Sequence, residues 1–311
     1  MYKILSIDGG GMHGYACLTI LRRLLEKKPN LLQDVDLIAG TSIGGILGLG
    51  LAMGHSIDEA DYNFIKGFPL AFNTNVARYL GFLAGICPKY DNSKFKKFLY
   101  GIYGSSKLKD IKKKVVIPTF CIDDERPVHR RWRAKIFHNF EENRFNSAAL
   151  NAATAMLTDA EASILDVAMA TSAVPIFFPM YDRYVDGALI ANNPALCAVS
   201  QTQDPRNKED RPRLNDVYVL SIGSIRDIYI TERNSQWGYF MWARSLLSMI
   251  TERDTLVVNY MANLLLGQQY HRVEPVINGP MDNFEELANI KQIGMDYPLE
   301  DTYTWLDKYW R

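Results

Sequence analysis

Asp8-Gly9-Gly10-Gly11-Met12-His13-Gly14 follows directly on the largely apolar run Ile4–Ile7. Gly40-Thr41-Ser42-Ile43-Gly44 follows in the same way on Val35–Ala39. A short apolar run that ends in glycines reads as a buried strand turning sharply into a helix. A chain that repeats this unit has few architectures open to it. The βαβ order sets strands parallel and requires helices on both faces of the sheet. Such sheets place their sites at the carboxyl ends of the strands, where these glycines fall. Tyr184-Val185 followed by Asp186-Gly187-Ala188 has a similar form farther along.

The three segments suggest acyl transfer. In a Gly-x-Ser-x-Gly turn the flanking glycines, here Gly40 and Gly44, leave room for the reversal and expose the serine hydroxyl. The following residues, Ile46 to Met53, read as a tightly packed buried helix whose N-terminus favours negative charge near Ser42. Gly10, Gly11 and Met12 can aim backbone N–H groups at a carbonyl oxygen as it becomes an oxyanion, each donor contributing about 3–4 kcal/mol. Asp186 can accept a proton if it lies within hydrogen-bond reach of Ser42. Together the segments describe an acyl hydrolase.

Two rival readings compete. The first cluster also matches G-x-G-x-x-G, the dinucleotide-binding fingerprint, which calls for an acidic residue at the end of the second strand. That strand ends instead in Ala39-Gly40-Thr41-Ser42. The second rival is a Ser-His-Asp triad. The chain has His13, His55, His129, His138 and His271, and Ser42…Asp186…His271 has the chain order of the α/β-hydrolases. Against it, Ser42 follows only the second strand, and His271 sits in an alternating segment, Gln269 to Glu274, that reads as a strand.

These motifs resemble those of the patatin-like phospholipases. That family carries Asp-Gly-Gly-Gly-x-(Arg/Lys)-Gly, Gly-x-Ser-x-Gly and Asp-Gly-(Ala/Gly) in that order. Here they are Asp8–Gly14, Gly40–Gly44 and Asp186–Ala188. Ala170–Pro179 and Asn192-Asn193-Pro194 are also similar, so the likeness runs from about Lys3 to Ala195. It implies a three-layer α/β fold with a mostly parallel central sheet. It implies Ser42 as nucleophile and Asp186 as base of a Ser-Asp dyad. Asp8, Gly9, Gly14 and Gly187 then support the motifs. It implies a phospholipid or other acyl-ester lipid as substrate, with no cofactor and no metal. Some bacterial relatives are effectors switched on by a nucleotide signal that then degrade membranes, and this chain could be one; the other alternative is a lipid-binding protein that keeps the fold without turnover. One departure is visible: His13 stands where the family has Arg or Lys. A histidine there can be neutral or charged near physiological pH.

The remaining features fit one acyl hydrolase domain over residues 1–311. Its 35 basic and 35 acidic residues cancel, which gives no general pull toward nucleic acid. The four cysteines are scattered without metal-binding or disulfide spacing, as expected of a reducing cytoplasm. The first strand begins almost at the N-terminus, which leaves no room there for a signal peptide. The uncharged stretch between Asp36 and Asp58 is long enough to span a bilayer, but its glycines fit a strand, a turn and a packed helix better. Residues 58–106 form a helical, aromatic-rich segment, read either as a cap over Ser42 that touches lipid or as ordinary core. Two basic stretches, Lys107–Lys114 and Arg130–Lys135, could meet anionic head groups in a peripheral membrane contact. Residues 203–213 read as a surface loop, followed by a strand Val217–Ile222 and separate helices Phe240–Met249 and Leu256–Leu266. Tyr303–Trp310 reads as a short aromatic helix or packed tail.

Overall fold

A computed structural model describes residues 1–72, 74–124, 130–140, 159–205, 207, 211–225 and 238–310. In chain order the elements are β1 (Tyr2–Ile7), α1 (Gly14–Lys27), β2 (Leu37–Gly40), α2 (Ile43–Met53), α3 (Ile57–Tyr62), α4 (Phe68–Ala71), α5 (Val76–Leu83) and α6 (Asn92–Tyr103). Then come β3 (Lys114–Cys121), β4 (Arg133–His138), α7 (Ile164–Thr171), β5 (Tyr184–Asp186), α8 (Ala188–Ala191), α9 (Ala195–Thr202) and β6 (Val217–Ile222). The chain closes with α10 (Tyr239–Leu266), β7 (Tyr270–Val273), α11 (Leu287–Asp296) and α12 (Glu300–Tyr309).

The strands form one sheet in the order β4-β3-β2-β1-β6-β7, with β5 also paired to β3. Pairings of β1 with β2 and β6, of β2 with β3, and of β6 with β7 are parallel; β4 and β5 pair with β3 antiparallel. The expected mostly parallel sheet is therefore present, with an antiparallel edge. Side chains alternate between two cores, as a pleated strand requires. Leu5, Ile7, Ile38, Leu220 and Val273 join the core under α1, α2 and the cap. Ile4, Leu37, Ala39, Val217 and Val219 join the core under α9 and α10. Helices packed on both faces of the sheet make this a three-layer arrangement, as expected.

One sheet detail positions the site. The first half of β3 pairs with β2 (Ala39 opposite Val116), and β2 then stops at Gly40. The vacated edge is taken up by β5, with Thr119 opposite Asp186. Because β5 runs antiparallel, it brings Asp186 down to the level where the chain after β2 turns at Ser42.

The segment expected as a cap is helical, with a packed inner side and an exposed outer side. Its inner rings pack as core: Phe64, Phe68 and Phe95 are buried, and Phe72 packs edge-on against Phe95 and Phe178. Between α3 and α4 lies a π-helical turn, Asn63–Gly67. Pro69 has no N–H to continue the i→i−4 ladder, and the Phe68 N–H reaches back to the Asn63 carbonyl instead. The outer side keeps apolar residues in solvent: Leu70, Val76, Leu80, Leu83 and Ile86 are all exposed.

Two expectations differ from the structure. The helices around Phe240–Met249 and Leu256–Leu266 are one continuous α10. The intervening Glu252-Arg253-Asp254 is polar but contains no glycine or proline to break a helix. Helix α11 was not anticipated; it packs on α1, with Gly294 close against the Ala16 carbonyl. The loop 203–213 lies partly outside the described residues, as does His129. The uncharged stretch before Asp58 forms β2, the Ser42 turn and α2, and among the described residues no helix is long and apolar enough to cross a membrane.

Candidate active site

Ser42 links β2 to α2 with φ 53° and ψ −122°. A residue with a side chain held at such angles stores about 1–3 kcal/mol of backbone strain. The flanking glycines show why the turn needs them. A Cβ on Gly40 would lie 2.2 Å from the Gly44 carbonyl oxygen, and one on Gly44 would lie 2.3 Å from the Ile7 carbonyl oxygen. The Ser42 N–H donates to Thr171 Oγ1 at 3.0 Å, and the Thr171 hydroxyl donates to the Pro118 carbonyl at 2.7 Å.

Asp186 ends β5 and is buried. Its Oδ1 accepts from the Ala188 N–H at 2.8 Å, while Oδ2 finds no hydrogen bond of normal geometry among the described residues. Burial pushes the Asp186 pKa up to about 7; the Ser42 hydroxyl and the Ala188 N–H pull against that rise. Gly187 must be glycine, because a Cβ would meet the Pro118 carbonyl at 2.2 Å. The Gly187 N–H donates to the Thr171 carbonyl at 3.1 Å. Thr171 thus ties the Ser42 turn to the Asp186 turn. The sequence reading included it in a similar stretch but assigned it no task.

The Asp8–Gly14 loop closes the same cavity, whose wall includes Gly9, Gly10, Gly11, His13, Ser42 and Asp186. Gly10 and Gly11 have φ of 151° and 57°, angles that favour glycine. The loop is anchored by the Asp8 N–H to the Ile222 carbonyl and by the Gly9 N–H to the Asn192 carbonyl, each at 3.0 Å. The Gly10 and Gly11 N–H groups donate to no described residue, so they remain available. Met12 does not fit the expected role. Its N–H already donates to the Met281 carbonyl at 2.8 Å. Met281 comes from the segment after β7, some 270 residues downstream, a closure that no local pattern reveals.

Beside this cavity lies a second, apolar one that shares Ser42, Gly11 and Met281 and is walled by Phe68, Phe72 and Phe178. Ser42 therefore stands where two cavities meet, the second of them walled by phenylalanine rings. The other candidate histidine is elsewhere. His271 Nε2 lies 2.9 Å from Thr302 Oγ1, and its ring stacks on Trp305 at 5.2 Å. Burial lowers its pKa. Strand parity sends His271 toward α12 and its neighbour Arg272 to the opposite face. The structure does not bring His271 to Ser42.

The model of the patatin-like phospholipase family matches residues 5–199, which contain all three motifs. The chain belongs to the patatin-like phospholipase family. Among relatives it is 32% identical to a protein of Vibrio cholerae serotype O1 named cGAMP-activated phospholipase, over 92% of this chain and 81% of that one. It is 31% identical to patatin-like protein 2 of Oryza sativa subsp. indica, over 78% of this chain and 66% of that one. Among solved structures it aligns with VipD of Legionella pneumophila at 11% identity and a TM-score of 0.46, over 99% of this chain and 67% of that one. Membership supports lipid hydrolysis as the activity, and residues of all three motifs line one cavity.

Proposed function

We propose that the chain is a phospholipase A-type acyl hydrolase or lipid esterase in which Ser42 is the nucleophile and Asp186 the general base. The observation that carries this reading is the Asp186 carboxylate. It is buried beside Ser42 in one cavity, has an unsatisfied oxygen, and its pKa rests at about 7. A base poised near the working pH takes and returns a proton with little penalty. Ser42 Oγ attacks the ester carbonyl as Asp186 takes its proton. The Gly10 and Gly11 N–H groups receive the oxyanion. The alcohol leaves with the proton from Asp186, which then activates water to release the acyl group from Ser42. His271 has no part in these steps.

The acyl chain lies in the apolar cavity between α2 and the cap. The exposed apolar residues on the cap's outer side rest on a bilayer in a peripheral contact made from the cytoplasm. The exposed Lys94, Lys96 and Lys97 of α6 supply attraction to anionic lipid. Activation by a nucleotide is a second reading, favoured by the extent of the match to the cGAMP-activated Vibrio protein.

The decisive experiment is product analysis with mixed-acyl phospholipids and a p-nitrophenyl ester, with and without cGAMP. Wild type is expected to release fatty acid and Ser42→Ala to release none. Equal release by both would overturn the assignment. Fluorophosphonate labelling of Ser42 without turnover of any ester would instead mark a lipid-binding relative that has lost catalysis.

A further inference from the structure

Behind the glycine loop lies a buried ion cluster that the steps above do not use. Arg272, on β7, grips Asp8 with both arms: Nη1 donates to Oδ1 at 2.9 Å and Nη2 to Oδ2 at 2.6 Å. The Asp8 side chain is 0% exposed and that of Arg272 is 10% exposed. Arg272 Nη1 also donates to Ser221 Oγ at 2.8 Å, and Nη2 to Glu274 Oε1 at 2.7 Å. Gly223, just past β6, leaves space for this pair. A Cβ there would lie 2.1 Å from Asp8 Oδ2 and 2.4 Å from Arg272 Nη2. The carboxyl ends of β1, β6 and β7 thus converge on one guanidinium–carboxylate contact.

The cluster adjoins the oxyanion donors. Asp8 is two residues from Gly10 and three from Gly11, so its Cα lies within about 7 Å of the Gly10 Cα and about 11 Å of the Gly11 Cα. An unpaired carboxylate at that distance would oppose the negative charge that the loop is built to receive. A loop with two consecutive glycines at positive φ also has little stiffness of its own. A bidentate guanidinium–carboxylate pair supplies both charge balance and fixed geometry. Burial alone would push the Arg272 pKa down; Asp8 and Glu274 push it up instead, so the guanidinium stays charged.

We propose that Arg272 is a positioning residue for oxyanion stabilisation: its buried guanidinium holds Asp8, and through Asp8 the Gly10–Gly11 donors, and cancels the Asp8 charge. Arg272 does not touch the substrate. The proposal rests on the reading of Ser42, Gly10 and Gly11 given above.

The test compares wild type with Arg272→Lys, Arg272→Met and the double variant Asp8→Asn/Arg272→Met. Each is followed by thermal melting, by kcat and KM on a soluble p-nitrophenyl ester, and by the rate of fluorophosphonate labelling at Ser42. Arg272→Met is expected to lower kcat about 100-fold per folded molecule, the scale of losing an oxyanion donor, with KM changed less than about threefold. Labelling should slow in parallel, because phosphonylation uses the same donors. Arg272→Lys, which keeps the charge but not the bidentate grip, should recover part of kcat. The double variant removes the orphaned carboxylate, so it should melt closer to wild type while kcat stays low. If Arg272→Met does not fold, the double variant carries the test. Folded variants with kcat within about threefold of wild type, or with the loss confined to KM, would overturn the proposal. A wild type that neither labels nor hydrolyses any ester would overturn the parent reading instead.

Discussion

The turn around Ser42 and the cap above it are built on opposite principles. At the turn, main chain meets main chain. A methyl group on Gly40, Gly44 or Gly187 would come within 2.3 Å of a carbonyl oxygen. In the cap, Gly85 and Gly101 have nothing within 4 Å of where a Cβ would stand. The turn spends backbone strain at Ser42 to fix one hydroxyl. The cap has a π-helical turn, short helices and exposed apolar side chains, held by ring contacts such as Phe72 with Phe178 at 5.0 Å. The contrast teaches that chemistry here is held by backbone that cannot move, and substrate contact by side chains that can be exchanged.

The strongest way to break that contrast is at the turn. Ser42→Ala and Asp186→Asn are each expected to lower kcat by about 10⁴-fold or more while the fold survives. Gly44→Ala should be comparably damaging, because the main chain must shift, whereas Gly101→Ala in α6 should leave activity and Tm near wild type. Activity assays and melting curves on the four variants decide it. Wild-type turnover in Gly44→Ala would show that the turn is not rigid.

The pH profile sharpens the same point through Asp186. As a base it must be ionised, so kcat/KM is expected to rise through an apparent pKa near the Asp186 value of about 7 and level off above it. Stability has the opposite sign. The folded pKa is raised above the ordinary 3.8, so between pH 3.8 and about 7 the folded protein keeps a proton that the unfolded chain has lost. Stability therefore falls across that window, by about 4 kcal/mol at most. Asp186→Asn should accordingly raise Tm at pH 8 and change it little at pH 4. A drop in Tm at pH 8 would mean that the ionised carboxylate is held favourably after all.

In the cap the expected effects are smaller and depend on the assay. Leu80→Glu with Leu83→Glu should lower hydrolysis of phospholipid vesicles about tenfold, since two exposed leucines lose their transfer into lipid. Hydrolysis of a soluble ester should stay within about twofold. Equal losses in both assays would mean that this face serves the fold rather than the bilayer. Smallest of all, His271→Ala should cost less than about tenfold, or roughly 1.4 kcal/mol, through lost packing on Trp305. A loss of thousands-fold with the fold intact would restore the triad.

Much of the arrangement was legible in the chain because it is local. The strand-to-glycine junctions at Ile7–Gly11 and Ala39–Gly44 encode turns whose sterics depend on immediate neighbours. Strand β6 follows from short-range apolar pattern and punctuation. The family resemblance rests on the same compact motifs. The aromatic cap was legible as helical, though its division into a buried inner side and an exposed outer side was not.

What the sequence by itself determined, then, is which residues can do chemistry: a serine at a turn with room for it, glycines able to present N–H groups, an aspartate before a glycine. Only tertiary structure decided how they act together. Strand β5 had to take the edge of β3 that β2 leaves before Asp186 could stand beside Ser42. Strand parity had to send His271 to α12 and Arg272 to Asp8. Met281 had to cross from the far end of the chain before the Met12 N–H was taken. Each of these contacts joins segments that lie far apart in the chain, and neither turn propensity nor periodicity reports on a partner at such range. The Asp186 pKa near 7 is of the same kind, because it comes from burial that the assembled layers impose.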